Sequence, residues 1–204
     1  EQVFERMLSA EAQISLDDIR TGAYQAESMS MASLDAATTS LNKVLEHLHI
    51  DDRPRISASY ITSVARQKKY EWGKIGLIVV DYLHIMRLND GPKVETLGEA
   101  CADLRALAKE MGCCVLLLSQ LNRGNQEERA AHHRPDLTDL RSSGEIEQNA
   151  DTVIFLHRES YFAQAGLAPD DDKCEVIIRK NRNGRQGTIE VRWLPQFMRF
   201  TDLY

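Results

Sequence analysis

Residues 75–86, "IGLIVVDYLHIM", constrain this chain more than any other stretch. The run is apolar, rich in β-branched side chains, and carries one carboxylate, Asp81. It is too short for a buried helix and reads as a strand buried on both faces, of the kind found in parallel sheets. Val94, Leu97, Cys101, Leu104, Ala108 and Met111 then mark one helical stripe, closed by Gly112. A second apolar strand, "CVLLLSQ" (114–120), follows at once. Strand, amphipathic helix and strand in this order predict a right-handed crossover unit of an α/β fold.

The flanks fit around that unit. The first fifty residues read as helical, with Val3, Phe4, Met7 and Leu8 at helix spacing and Leu34, Leu41, Val44, Leu45 and Leu48 repeating it. Ser15 is expected to cap a short helix that Gly22 ends. Residues 47–52 could form a short strand before Pro54, and Ile61, Val64 and Ala65 suggest a helix closed by Gly73. Residues 121–142 lack apolar periodicity, and a polar stretch of that length is often functional. Residues 143–151 read as a short helix feeding a third buried strand, "TVIFLH" (152–157). Strands at 174–180 and 188–193 flank Asn183-Gly184, a strong hairpin signal, and 198–204 adds an edge strand. No internal repeat interrupts this order, so residues 1–204 read as part of one α/β domain.

Composition narrows the function. With 43% hydrophobic and 27% charged residues, the chain can bury a sizeable core. No apolar run approaches the ~18 residues of a membrane helix, and no leader pattern opens the chain. The reading is therefore of a cytoplasmic protein without a membrane partner. Starting at Glu1 within a helical pattern, it is expected to be a piece of something longer. The net charge is −6. The pI near 5.6 is far from the basic range of proteins that bind nucleic acid through bulk charge. Nucleic-acid contact must then be local. Cys101, Cys113, Cys114 and Cys174 make no metal-ligand spacing and are read as four buried thiols.

Four side chains have the chemistry to act on a phosphate. Asp81 closes an apolar strand, and ligands of open α/β sheets bind outside the carboxyl ends of strands. A carboxylate there can hold magnesium against nucleotide phosphates, although many such residues only cap a helix. Gln120 closes the neighbouring strand, where an amide can orient water or sense a terminal phosphate. Lys180 and Arg182 stand two apart near the last hairpin and can present to one anion. From residue 174 onward six Lys or Arg face three Asp or Glu. Arg123, Arg129, Arg134 and Arg141 dot the polar segment, but six acidic residues between 121 and 150 offset them. The phosphate cradle G-x-x-x-x-G-K-[ST] is not in these residues: Gly73-Lys74 is followed by Ile75, and Lys68 holds the earlier glycine position.

In order and spacing, "IGLIVVDYLHIM", "LRALAKEMGCCVLLLSQLNR", "RPDLTDLRSSGEIEQNADTVIFLHRE" and "IIRKNRNGRQGTIEVRW" resemble the carboxyl-terminal motor of the bacterial replicative DNA helicases, the DnaB family. The opening "EQVFERML" resembles the helix after that family's "SLEM" segment. The resemblance implies a RecA-like, mostly parallel sheet with flanking helices and a carboxyl-terminal β-hairpin. It implies a hexameric ring that uses ATP and Mg2+ to translocate on single-stranded DNA and unwind duplex, with a helicase loader and primase as partners. Asp81 would place the magnesium, Gln120 would sense the γ-phosphate, and Arg6 would approach the nucleotide. Lys180 and Arg182 would reach ATP on the neighbouring subunit, the arginine as a finger. Arg141, Ser142 and Gly144 would fall on the loop that grips the DNA backbone. The P-loop and catalytic glutamate would lie upstream, so these 204 residues alone are expected to be inactive. His84, Ser142 and Asn149 depart from the family's usual residues. The alternatives are another RecA-like ATPase, a recombinase or loader, and a non-catalytic module that lacks the P-loop by evolution. "DLRSSGEIEQNAD" and "RKNRNG" argue against the first of these.

Overall fold

Local capping chemistry sets the helices of the amino-terminal part. In the computed structural model, which describes residues 2–26, 28–83, 86, 93–121, 134–161 and 172–203, α1 spans Gln2–Ala12 and α2 spans Leu16–Thr21. Ser15 caps α2, its Oγ accepting the Asp18 amide at 3.0 Å. Gly22 ends the helix at φ 76°, a left-handed conformation that glycine adopts without strain. α3 spans Ser28–Leu45. Beyond it the expected strand at 47–52 does not form. The amides of His47 and Leu48 bond back to Val44 and Leu45, so the chain leaves the helix through tight turns.

The chain divides into two compact units: residues 1–50, 156–176 and 188–204 form one, and residues 51–155 and 177–187 the other. The first unit has a small core of Ala12, Ile14 and Ala37, with Leu8, Ile19, Tyr24 and Leu34 packed on it. Its Ser9 is buried and donates to the Ile14 carbonyl at 2.7 Å.

The second unit carries the crossover. α4 (Ala58–Trp72) is capped by Ser57 and closed by Gly73 at φ 78°. β1 (Leu77–Val80), α5 (Lys93–Met111) and β2 (Cys114–Leu117) follow, with β1 and β2 parallel in the register Leu77–Cys114 to Val80–Leu117. Leu97, Cys101, Leu104 and Met111 of the expected stripe are buried with Ala58, Ile61 and Ala65 of α4, and Val80. The strands are shorter than expected and covered on one face only. Val80 is 6% exposed, whereas Leu77 and Val79 are each 54% exposed and Leu116 48%. Apolarity on both faces shows what a strand can bury; among the described residues, α4 and α5 cover just one of them.

After a 3-10 helix at Leu137–Ser143 comes α6 (Gly144–Asn149), then β3 (Thr152–His157). Part of the polar segment is thus regular, while residues 122–133, with Arg123 and Arg129, lie outside the described residues, as does His84. β3 alternates cleanly, with Val153, Phe155 and His157 buried and Ile154 and Leu156 exposed, so it too is covered on one face. β4 (Lys173–Asn181), β5 (Gly187–Leu194) and β6 (Arg199–Asp202) complete a sheet in the order β3-β4-β5-β6, with β5 and β6 antiparallel. The hairpin and edge strand stand where the turn signals put them. Of the four thiols, Cys101 and Cys174 are buried, Cys113 is half-buried and Cys114 exposed, because Cys114 opens β2 on its uncovered face. Burial pushes the Cys101 thiol up to about 11. Among the described residues no helix is long and apolar enough to cross a membrane.

Candidate functional site

The parallel pair brings two expected site residues to one sheet edge. Beyond the strands the ladder continues: Leu118 donates to the Val80 carbonyl at 3.0 Å, and Leu83 donates to the Leu118 carbonyl at 2.9 Å. Asp81 directly follows β1, and Gln120 follows β2 by three residues, so both lie at the carboxyl ends of paired strands. The Asp81–Tyr82 peptide bond is cis. Both side chains are exposed, and among the described residues neither is engaged in a hydrogen bond or ion pair. An unpaired carboxylate supplies the oxygen donor that a hard cation prefers, and a neighbouring carboxamide both donates and accepts. Among the described residues no group of three His, Cys, Asp or Glu side chains forms a complete metal cage. A cation at Asp81 would need further oxygen ligands from substrate or water.

The basic pair also meets, but on its own chain. Lys180, near the end of β4, donates from Nζ to the Glu147 carbonyl at 2.5 Å. Arg182, just past β4, donates from Nη2 to the Gln148 carbonyl at 2.7 Å and from Nη1 to Asp151 Oδ1 at 3.0 Å. The Arg182 amide donates to the Asp151 carbonyl at 2.9 Å. Both carbonyls belong to the last turn of α6, where main-chain acceptors lack helical partners and the helix dipole favours cations. Arg105 of α5 approaches Asp151 Oδ1 from another side at 3.3 Å. Sequence reading passes over Asp151 and Arg105. The available signal was opposite charge at the two chain ends flanking β3 and β4.

Arg6 belongs to the first unit, exposed on α1, with no partner among the described residues. Arg141 and Ser142 lie on the 3-10 helix and Gly144 opens α6; the side chains of Arg141 and Ser142 lie outside the described set. Asp136 and Asp139 frame that segment: Asp139 is buried and accepts the Asp136 amide on Oδ2 at 2.9 Å. A second acid–base group sits before α4. Asp51 accepts from the Tyr60 hydroxyl at 2.7 Å and from the Arg53 amide at 3.1 Å, bonds that hold its carboxyl at about 2.

Residues 1–202 match the model of the DnaB-like helicase C-terminal domain. The chain is 35% identical over its whole length to the replicative DNA helicase DnaB of Geobacillus stearothermophilus, and 37% identical to that of Pasteurella multocida, spanning 43% of each relative. It superposes with a TM-score of 0.87 and 28% identity on a DnaB-like replicative helicase solved with its interactions with primase. All of this chain and 48% of that one are covered. The parallel pair, flanking helices and carboxyl-terminal antiparallel strands are thus those of a RecA-like fold, and the chain belongs to the DnaB-like helicase C-terminal domain family.

Proposed function

We propose that these residues form part of one RecA-like motor domain of a replicative helicase. As a homohexameric ring, the full-length protein would hydrolyse ATP with Mg2+, translocate on single-stranded DNA and unwind duplex. The observation that carries the reading is the placement of Asp81 and Gln120, exposed and unengaged among the described residues, at the carboxyl edge of a parallel pair in a chain of this family. Magnesium, when bound, would offset phosphate charge. Asp81 fits it as an oxygen donor with no competing side-chain partner among the described residues. Gln120 would orient the terminal phosphate or attacking water by its amide, and Arg6 is proposed to approach nucleotide. Lys180 and Arg182 would complete a neighbour's site, stabilising charge that develops on the transferred phosphate.

The phosphate cradle is no part of the 204 residues, and in this reading it comes from the further length that the relatives have. Arg141, Ser142 and Gly144 would contact the DNA backbone through a few positioned groups, as suits a net charge of −6. Primase and a loader are the expected partners. The test is activity of the full-length protein against this chain alone. ATP turnover stimulated by single-stranded DNA, with unwinding of a forked duplex, is expected of the first and no turnover of the second. A full-length protein that folds and forms rings without ATPase activity overturns the motor reading in favour of a non-catalytic module.

A further inference from the structure

We infer that Asp151 is a positioning residue for Arg182, held in turn by Arg105; the inference rests on the reading of Arg182 as the cation that completes a neighbour's nucleotide site. Arg182 leaves the chain just beyond β4, where the strand ladder ends and no longer fixes a side chain. Three bonds replace the ladder. The main-chain bond from Arg182 to the Asp151 carbonyl ties the two roots together. Nη1 on Asp151 Oδ1 and Nη2 on the Gln148 carbonyl then set the plane of the guanidinium, as two donors of a rigid fork can and one cannot. The remaining N–H groups of the fork stay available to an anion.

The frame behind Asp151 is firm. Gly98 of α5 lets α6 approach so closely that a Cβ there would lie 2.9 Å from the Cβ and Cγ of Glu145. Arg105, on the same α5, shares Asp151 Oδ1 with Arg182. Among the described residues its buried Nε has no hydrogen-bond partner, while its Nη2 bonds Asp151 Oδ1 at 3.3 Å. A purely structural role explains the cluster poorly. The Asp151 side chain is 55% exposed and that of Arg182 39%, and ion pairs in such surroundings add little to stability. Orientation of a cation at a reacting phosphate is another matter, since a displacement of about 1 Å can cost about 10²-fold in rate.

The experiment is steady-state ATPase kinetics of the full-length ring, with thermal melting and ring assembly followed in parallel. Asp151→Asn is expected to lower kcat by about 10²-fold with KM for ATP changed less than about 2-fold, the pattern of an interaction made in the transition state. The melting midpoint should move by less than about 2 °C, and Asp151→Glu should recover part of the rate. In an Arg182→Lys background the same Asp151→Asn change should cost less than about 2-fold, because its effect passes through the guanidinium. Full turnover by Arg182→Ala sinks the underlying reading of Arg182. Loss of turnover by Arg182→Ala together with full turnover by Asp151→Asn sinks the positioning role alone, as does an undiminished loss in the Arg182→Lys background. Should Asp151→Asn fail to assemble, Arg105→Lys loosens the carboxylate from its other side and should still lower kcat several-fold; unchanged kcat there overturns the inference.

Discussion

The two halves of the proposed site are built in opposite ways. Asp81 and Gln120 are fixed by main chain: parallel pairing and two further ladder bonds place them, and their exposed side chains have no partner among the described residues. Lys180 and Arg182 project from the end of a hairpin, and their charged heads are already bonded to Glu147, Gln148 and Asp151. Where backbone sets the direction, a side chain can wait for its ligand unengaged. Where the ladder has ended, direction must come from side-chain bonds, and neighbouring residues become part of the site. Substitutions in the first half should therefore act only through the residue changed, while the second half should be sensitive to residues that never meet substrate.

The largest effect is expected at the first half. Asp81→Asn keeps the shape of the side chain and leaves the β1–β2 pairing untouched, so it removes charge alone. In the full-length protein it should abolish ATP hydrolysis while nucleotide binding, followed by equilibrium titration, is partly retained. Wild-type turnover in that variant would place the metal elsewhere.

At the second half, Arg182→Ala should lower turnover about 10³-fold or more if the guanidinium acts as a finger. Loss alone does not say whose nucleotide it serves. Mixing does: Arg182→Ala subunits blended into rings of a P-loop Lys→Ala variant should regain some ATPase activity. A mixed interface can pair an intact P-loop from one subunit with an intact Arg182 from the next. Co-assembled rings that show no recovery at any ratio would assign Arg182 to its own subunit.

The same contrast decided what could be read from sequence. Strand, helix and strand were legible because apolar periodicity reports them directly, and Ser15, Gly22 and Gly73 end helices through chemistry local to each residue. Asp81 and Gln120 were legible for the same reason, each closing an apolar run. One-sided coverage of β1, β2 and β3 was not, since Leu77, Val79, Leu116 and Ile154 are as apolar as their buried neighbours. Nor was the Asp151–Arg182 bond, whose partners are 31 residues apart and meet only once β3 and β4 share a sheet.

A smaller effect is expected where DNA contact is proposed. Arg141→Ala should weaken single-stranded DNA binding with little dependence on sequence. It should flatten the slope of log affinity against log salt by about one unit, as the loss of one phosphate contact does. Fluorescence anisotropy across a salt series measures this, and an unchanged slope moves the contact to another residue of the segment.

The smallest effect is expected at the Asp51 group, which resembles the Asp151 cluster in composition and differs in origin. Its members lie within ten residues of one another, so it forms with the start of α4 and needs no sheet to assemble it. It has no place in the proposed site, and Tyr60→Phe should leave turnover within about 2-fold of wild type. It should act on stability through protons instead. The Tyr60 hydroxyl, then the Arg53 amide, hold the Asp51 carboxyl at about 2, below the ordinary 3.8. A carboxyl depressed on folding contributes stability that is fully present above its unfolded pKa and is lost as pH falls through the folded value. That contribution is therefore intact at neutral pH and disappears between about pH 4 and pH 2. Without the hydroxyl, Asp51 should titrate closer to 3.8, and the variant should be slightly less stable at neutral pH, with the gap closing below about pH 2. Carboxyl-carbon NMR titration of Asp51 in both chains gives the answer. A midpoint unmoved by Tyr60→Phe would mean that the Arg53 contacts alone hold the charge. An Asp51 group that instead changed turnover would erase the distinction between acid–base clusters formed locally and those that the sheet assembles at the site.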